Sequence, residues 1–130
     1  MKICFKIQNK VISKNQLEII KKFCSLLMKK MKLSNDLDIH FLKKRADDMT
    51  TGSYNYEKSR IRILSGNRML ADILRTLSHE WAHAYDHEKL NIDDRRDIGG
   101  KSENFANAKS GELTKMFIKK NEKIKKDIFN

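Results

Sequence analysis

The sequence predicts an α+β fold in one domain covering residues 1–130, with a small mixed β-sheet backed by an N-terminal helix. Apolar and polar residues alternate in short segments, which is typical of strands with one buried face. In longer segments the apolar residues recur at three- and four-residue steps, which is typical of amphipathic helices. A chain of 130 residues with no Pro is long enough for one hydrophobic core and shows no flexible linker.

The first half of the chain predicts two strands, a helix and a hairpin. The apolar residues of the two strands are Ile3, Phe5, Ile7, Leu37, Ile39 and Phe41. Between these strands, Ser13 and Gln16 have the spacing of a capping box, which predicts a helix over residues 14–32. His40 falls on the opposite face of the second strand and is predicted to be a surface histidine. Residues 51–64 predict a hairpin in which one strand is an edge.

The second half of the chain predicts two helices separated by a polar loop. Residues 65–67 are predicted to cap the first helix, and the loop over residues 91–100 ends in two glycines that let the chain reverse. Ser102 is predicted to cap the second helix, and Gly111 is predicted to weaken it midway. Residues 112–130 are predicted to form a basic tail helix.

His79, Glu80 and His83 form the motif His-Glu-x-x-His in the first of these two helices. Because positions i and i+4 lie on one face of a helix, the two histidines can hold one metal ion. Glu80 is rotated by about 100° from His79, which places its carboxylate beside the ion rather than on it. Zinc with three protein ligands keeps a fourth position for water, and a nearby carboxylate can take a proton from that water. The motif therefore predicts one Zn²⁺ per chain, with Glu80 as general base.

The motif and the segment after it resemble the gluzincin zinc metallopeptidases. In that family a glutamate on the next helix is the third zinc ligand, and Glu103 occupies this position here. Asn107, four residues later, matches the residue that bonds the first zinc histidine and fixes its orientation. The small size and the segment over residues 51–63 are similar to the single-domain minigluzincins. The resemblance implies an active-site helix and a glutamate helix that lie across the sheet.

The resemblance also implies that the edge strand above the metal pairs with the backbone of a peptide or protein substrate. Tyr54 and Tyr56 are then candidates to line the cleft, and half-buried strand tyrosines are an equally good interpretation. Larger gluzincins take a transition-state donor from a second subdomain that has no counterpart here. Tyr85 and His87 are candidates to replace that donor.

His87 is also an alternative third metal ligand. Successive histidines one turn apart on a straight helix are displaced by about 6 Å along its axis, so three of them rarely close a tetrahedron. Glu103 approaches from a separate helix and is therefore favoured. Asp86 and His87 are predicted instead to form the solvated end of the helix.

The favoured function is a zinc-dependent endopeptidase that acts on peptide or protein substrates. Small members of this family can be held latent by their own termini, so the tail over residues 112–130 is a candidate regulatory segment. The alternative is that this tail simply completes the core.

The charge distribution leaves a second function open. The net charge of +11 is concentrated in residues 1–60 and 101–130, and such basic flanks can meet nucleic acid. A nucleic-acid-associated protein with structural zinc is one such alternative, and a protease acting on DNA-bound proteins is another. A protease acting on DNA-bound proteins would resemble the SprT-like family, in which the third metal ligand is a histidine. No histidine follows His87 here, which counts against this alternative. Because lysines without a binding motif usually form a solvated surface, nucleic acid is not the favoured partner.

Composition also gives expectations about location and thiols. No apolar run approaches the roughly 18 residues of a membrane span, and no secretory signal is visible, so a cytoplasmic protein without a membrane partner is expected. Cys4 and Cys24 are too few for a disulfide framework, and both are predicted to be buried free thiols.

Overall fold

The computed structural model describes residues 1–90 and 101–129 and confirms the α+β class, with helices packed on a small mixed sheet. The predicted loop over residues 91–100 lies outside the described residues. The helices and strands are β1 Ile3–Ile7, α1 Lys14–Lys30, β2 Leu37–Leu42, β3 Gly52–Asn55, β4 Arg60–Leu64, α2 Leu70–Tyr85, α3 Lys101–Lys120 and α4 Lys125–Phe129.

The sheet has the strand order β1-β2-β4-β3. β2 pairs in parallel with both β1 and β4, whereas β3 pairs with β4 in an antiparallel hairpin. The register aligns Phe5, Ile39, Ile61 and Tyr54 across the four strands, so their side chains point to one face. β3 is thus the edge strand that the hairpin pattern predicted.

The N-terminal helix begins as predicted. The Ser13 hydroxyl accepts a hydrogen bond from the Gln16 amide at 3.1 Å, and the Gln16 side chain accepts one from the Ser13 amide at 2.9 Å. Both partners of the capping box are therefore formed. The helix ends at Lys30 rather than residue 32, because Met31 leaves the helical conformation and becomes its C-cap. Its apolar stripe joins the hydrophobic core shared by the sheet, α2 and α3.

The predicted start of the metal-motif helix is wrong by a few residues. The N-cap of α2 is Met69, which makes no side-chain capping bond. Asn67 has a φ of 59°, a left-handed conformation that asparagine tolerates, so residues 65–67 form a turn that precedes the helix. Arg68 joins this turn to the helix, donating to the carbonyl oxygens of Leu64 and Asp72 at 2.7 and 3.2 Å.

The structure corrects the predicted cap of α3 and shows the course of the helix at Gly111. The helix already includes Ser102, because it begins at Lys101. It runs through Gly111 to Lys120, so the glycine does not interrupt it. Leu113 is 1% exposed, and this packing against the core outweighs the weak helical propensity of glycine.

The C-terminal segment contributes to the hydrophobic core. Phe117 and Ile128 are buried, and the Phe117 ring meets the Phe23 ring of α1 edge to face at a centroid distance of 5.0 Å. Asp86, predicted at a solvated helix end, is instead 1% exposed in a π-helical turn over Asp86–Leu90. None of the described helices is long and apolar enough to cross a membrane.

The two cysteines differ in environment, which corrects the prediction that both are buried. Cys24 is buried on α1, and burial raises the pKa of its thiol to about 12. Cys4 is exposed because it lies on the open face of the edge strand β1, between the inward-facing Ile3 and Phe5. Cys4 is therefore the accessible thiol of the two.

Iodoacetamide should therefore label one thiol per native chain and two per chain in denaturant, since the thiolate is the nucleophile. Intact-mass measurement with and without denaturant checks this. In the Cys4→Ser variant the native label should disappear. Rapid native labelling of that variant would contradict the burial of Cys24.

Candidate metal centre

Helix α2 carries two histidines of the candidate metal centre on one face. The Nε2 atoms of His79 and His83 are 3.3 Å apart, and both rings are partly exposed. Trp81 lies between them in sequence and is fully buried, and its indole N–H donates to the carbonyl oxygen of Met31 at 2.8 Å. The same turn of helix is therefore fixed to α1 on one side while it presents the histidines on the other.

Helix α3 brings Glu103 to both histidines from its first turn. One carboxylate oxygen lies 3.0 Å from His79 Nε2, and the other lies 3.0 Å from His83 Nε2. The helix dipole favours an anionic side chain at this position.

The spacing of these donor atoms suits a metal ion. Ligand atoms from all three residues lie within 4.8 Å of one another. Tetrahedral coordination with bonds of about 2.0–2.2 Å places neighbouring ligand atoms about 3.3–3.6 Å apart, a little wider than the separations of 3.0–3.3 Å between the donor atoms here. His79, His83 and Glu103 are thus close enough together to hold a metal ion.

Burial sets the charge state of two residues at the centre. It lowers the pKa of His79, with a smaller opposing effect from Glu103, so the neutral imidazole that binds metal is favoured. Burial, and to a lesser degree the charge of Glu103, raises the pKa of Glu80 to about 8. A cation held by the neighbouring residues would lower the pKa of Glu80.

The edge strand β3 packs closely on α2 at Glu80, and a glycine makes this possible. A Cβ atom at Gly52 would lie 2.5 Å from the Thr76 methyl group and 3.1 Å from Glu80 Cγ. The first distance is a clash, so only glycine allows this approach. Gly52 therefore places the edge strand directly beside the carboxylate of the motif.

A pocket of about 370 Å³ opens at the metal centre between α2, α3 and the start of β3. It is bordered by His79, Glu80 and Glu103 of the motif residues. Its other lining residues are Thr50, Thr51, Gly52, Arg68, Asp72, Arg75, Thr76, Asn107 and Ser110. Two of the three metal-binding residues and the predicted general base thus face one cavity, and none of its described lining residues is hydrophobic.

Several residues predicted from the sequence lie elsewhere or lack the expected bond. The His87 ring packs on Tyr56 at a centroid distance of 4.6 Å and does not belong to the metal-binding group. The Tyr54 ring lies 6.4 Å from the same ring, and Tyr85 stacks on Phe105. The four predicted substrate-contact residues are thus absent from the described lining of the pocket, and their roles stay predictions.

Asn107 does line the pocket, with an exposed side chain. The hydrogen bonds between described residues do not include one from Asn107 to His79, so the orienting role implied by the resemblance stays a prediction.

Arg68 and Arg75 are the cationic residues of the described lining, and the sequence patterns did not predict either of them. Arg68 donates to backbone carbonyls and to the Thr76 hydroxyl at 3.0 Å, and nothing in the sequence marks such a contact. Arg75 had a visible signal, because it precedes His79 by four residues and therefore lies on the same helical stripe.

Comparison with known proteins does not identify the chain: no protein-family model, curated protein or solved structure matches it significantly. Its function is therefore inferred from the geometry of the site.

Replacing Glu103 by Ala should abolish tight metal binding, because two imidazoles alone leave the site one protein ligand short. His87→Ala is the matched control and should keep the metal. Elemental analysis of both purified variants, alongside the parent protein, checks this. Full occupancy of Glu103→Ala together with loss from His87→Ala would reverse the ligand assignment.

Proposed function

We propose that this protein is a zinc-dependent endopeptidase of the gluzincin type. The observation that carries the proposal is that His79, His83 and Glu103 can share one ion while Glu80 lines the same pocket. Two imidazoles and a carboxylate form the donor set of catalytic zinc sites with an open coordination position. A purely structural site would need a fourth protein ligand and no adjacent base.

The same donor set can also hold iron, which in other proteins supports oxygen chemistry. Glu80 favours zinc and hydrolysis, because a buried carboxylate next to the ion suits proton transfer rather than redox chemistry. Zinc bound here would acidify a water molecule and polarise a carbonyl group.

Glu80 is the proposed general acid and base. Its side chain is 9% exposed and lines the pocket, so it can reach a reacting water while bulk solvent stays largely excluded. Glu80 would take a proton from the attacking water and pass it to the leaving amine. For the first step Glu80 must be ionised, and a nearby cation stabilises that form.

The edge strand β3 is the proposed site for the substrate backbone. It pairs with β4 on one side only, so its outer amide and carbonyl groups can bind an extended peptide. Because Gly52 contacts α2 at Glu80, a peptide added along β3 would pass beside the catalytic centre. The likeness to minigluzincins proposed here consists of this edge strand, the motif helix and the glutamate helix.

The proposal is tested by elemental analysis of the purified protein followed by digestion of a broad peptide library. We expect one zinc per chain and internal cleavages that stop on chelation and return with added zinc. Metal occupancy should fall in acid, because the ligands must be deprotonated. Stoichiometric iron in place of zinc, or zinc without cleavage of any peptide, would contradict an endopeptidase.

A further inference from the structure

We propose that Arg75 forms a carboxylate-binding subsite beside the metal centre, so that the preferred ligand is a peptide carrying an acidic group near the scissile bond. This subsite rests on the proposed peptidase function only in that the bound peptide has a scissile bond. The subsite itself is a binding property that can be measured without turnover.

The position of Arg75 follows from the helix. It lies one turn before His79 on the stripe that also carries His83, a displacement of about 6 Å along the axis. Arg75 lines the same pocket as His79, Glu80 and Glu103, and its side chain is exposed. An extended chain advances by about 3.3 Å per residue, so a group bound at Arg75 belongs within about two residues of a carbonyl at the metal.

The guanidinium of Arg75 is available to a ligand. Among the described residues no carboxylate or carbonyl oxygen bonds to it. Two arginines outside the pocket are engaged: Arg62 pairs with Asp48 at 2.7 Å, and Arg45 donates to the Met49 carbonyl. Arg68, the second arginine of the pocket, is held by the protein oxygens already described.

Among the described lining residues, no carboxylate forms an ion pair with Arg75. Asp72 also lines the cavity, and no ion pair joins its carboxylate to Arg75. Glu103 faces the two histidines. Within the described part of the lining, Arg75 is therefore a guanidinium with no protein partner, and such a group binds carboxylates through paired charge-assisted hydrogen bonds.

The rest of the lining fits a polar ligand. The side chains of Thr50, Thr51, Asn107 and Ser110 border the pocket, and no aliphatic or aromatic side chain of the described residues does so. Burying a hydrophobic substrate side chain here would gain little, whereas an acidic side chain or a chain-terminal carboxylate finds a cation and hydrogen-bonding groups.

The test is a binding titration with the full-length, metal-loaded Glu80→Gln protein, in which turnover is suppressed. The probes are blocked alanine pentapeptides that carry one Glu or one Gln at each position in turn. A third series has neutral side chains and a free C-terminal carboxylate. We expect the best acidic peptide to bind about 10- to 100-fold more tightly than its neutral counterpart, the range of a charge-assisted contact.

Each further substitution is made in the Glu80→Gln protein. Arg75→Gln should remove the preference for acidic peptides, and Arg75→Lys should keep part of it. Lys115→Gln on the exposed surface should leave the preference unchanged. The two carboxylate series show whether the group comes from a side chain or from the chain end, and either result supports the subsite. An equal preference in Arg75→Gln would mean that the metal holds the carboxylate, and it would overturn the proposal, as would no preference in the parent protein.

The outcome is independent of catalysis. Arg75-dependent binding by a protein that cleaves nothing would keep the subsite and reject the peptidase. Cleavage without an acidic preference would keep the peptidase and reject the subsite.

Discussion

Replacing Glu80 by Gln should reduce peptide turnover by about 10²- to 10⁴-fold, the usual contribution of a general acid–base residue, while metal content stays at one ion per chain. Glutamine has nearly the shape of glutamate but cannot carry a proton between water and a leaving amine. Steady-state kinetics on the best library peptide, together with elemental analysis, measures both effects. The matched control is Glu112→Gln, the same chemical change at an exposed position of α3. Turnover of the metal-replete Glu80→Gln protein at the parent level would reject the role of Glu80.

The same substitution should stabilise the protein in the presence of a chelator. Burial raises the pKa of Glu80 from 4.5 to about 8, so the folded state disfavours the ionised carboxylate. The ionised carboxylate therefore lowers the free energy of unfolding. This loss of stability is absent below pH 4.5, grows as pH rises towards 8 and is constant above that value. At pH 7 it amounts to about 3 kcal/mol, an order-of-magnitude figure that Gln removes.

Urea unfolding of the parent protein and the Glu80→Gln variant, in chelator at pH 4 and pH 7, tests whether the ionised Glu80 lowers stability. The two proteins should be equally stable at pH 4, and Glu80→Gln should be the more stable at pH 7. Bound metal should reduce the difference in stability between the two proteins at pH 7, because a cation lowers the pKa of Glu80. A destabilised variant at pH 7 would show that the carboxylate has a structural partner instead.

Truncation after Gly111 should unfold the protein. The deletion removes Leu113, Phe117 and Ile128 from the core, and each such side chain contributes about 1.5–3 kcal/mol of burial with a further penalty for the cavity left behind. The combined loss is comparable to the whole stability of a small domain, about 5–15 kcal/mol. Circular dichroism and urea unfolding of the truncated protein measure this loss.

Point variants separate the core role from the proposed regulatory one. Phe117→Ala should cost about 3–5 kcal/mol because it loses the contact with Phe23, whereas exposed Lys120→Ala should change little. The described lining of the pocket includes no residue beyond Ser110, and the regulatory role of the tail stays a prediction. A folded truncation with raised turnover would support the latency hypothesis.

The sequence predicted those features that depend on neighbours along the chain. Alternation at Ile3, Phe5 and Ile7 follows from the two-residue period of a strand, and the capping box of Ser13 needs only Gln16. The closeness of His79 and His83 follows from the helical period, so the sequence alone predicts these two ligands of the metal centre. Glu103 was identified through a family resemblance, and its distance to the histidines required the structure.

The tertiary structure decided what depends on residues far apart in sequence. Whether a thiol is buried depends on which face of a strand is covered, and so Cys4 was placed wrongly. Gly111 stays helical because contacts of its neighbours with the core exceed the cost of its flexibility. The fit of Gly52 against α2 depends on the packing of a hairpin on a helix, which no local pattern encodes. The periodicity of the sequence determines how side chains are arranged around one helix or strand. Only tertiary packing determines which surface each helix or strand contacts. The pocket at the metal centre lies between packed elements, so its shape depends on that packing.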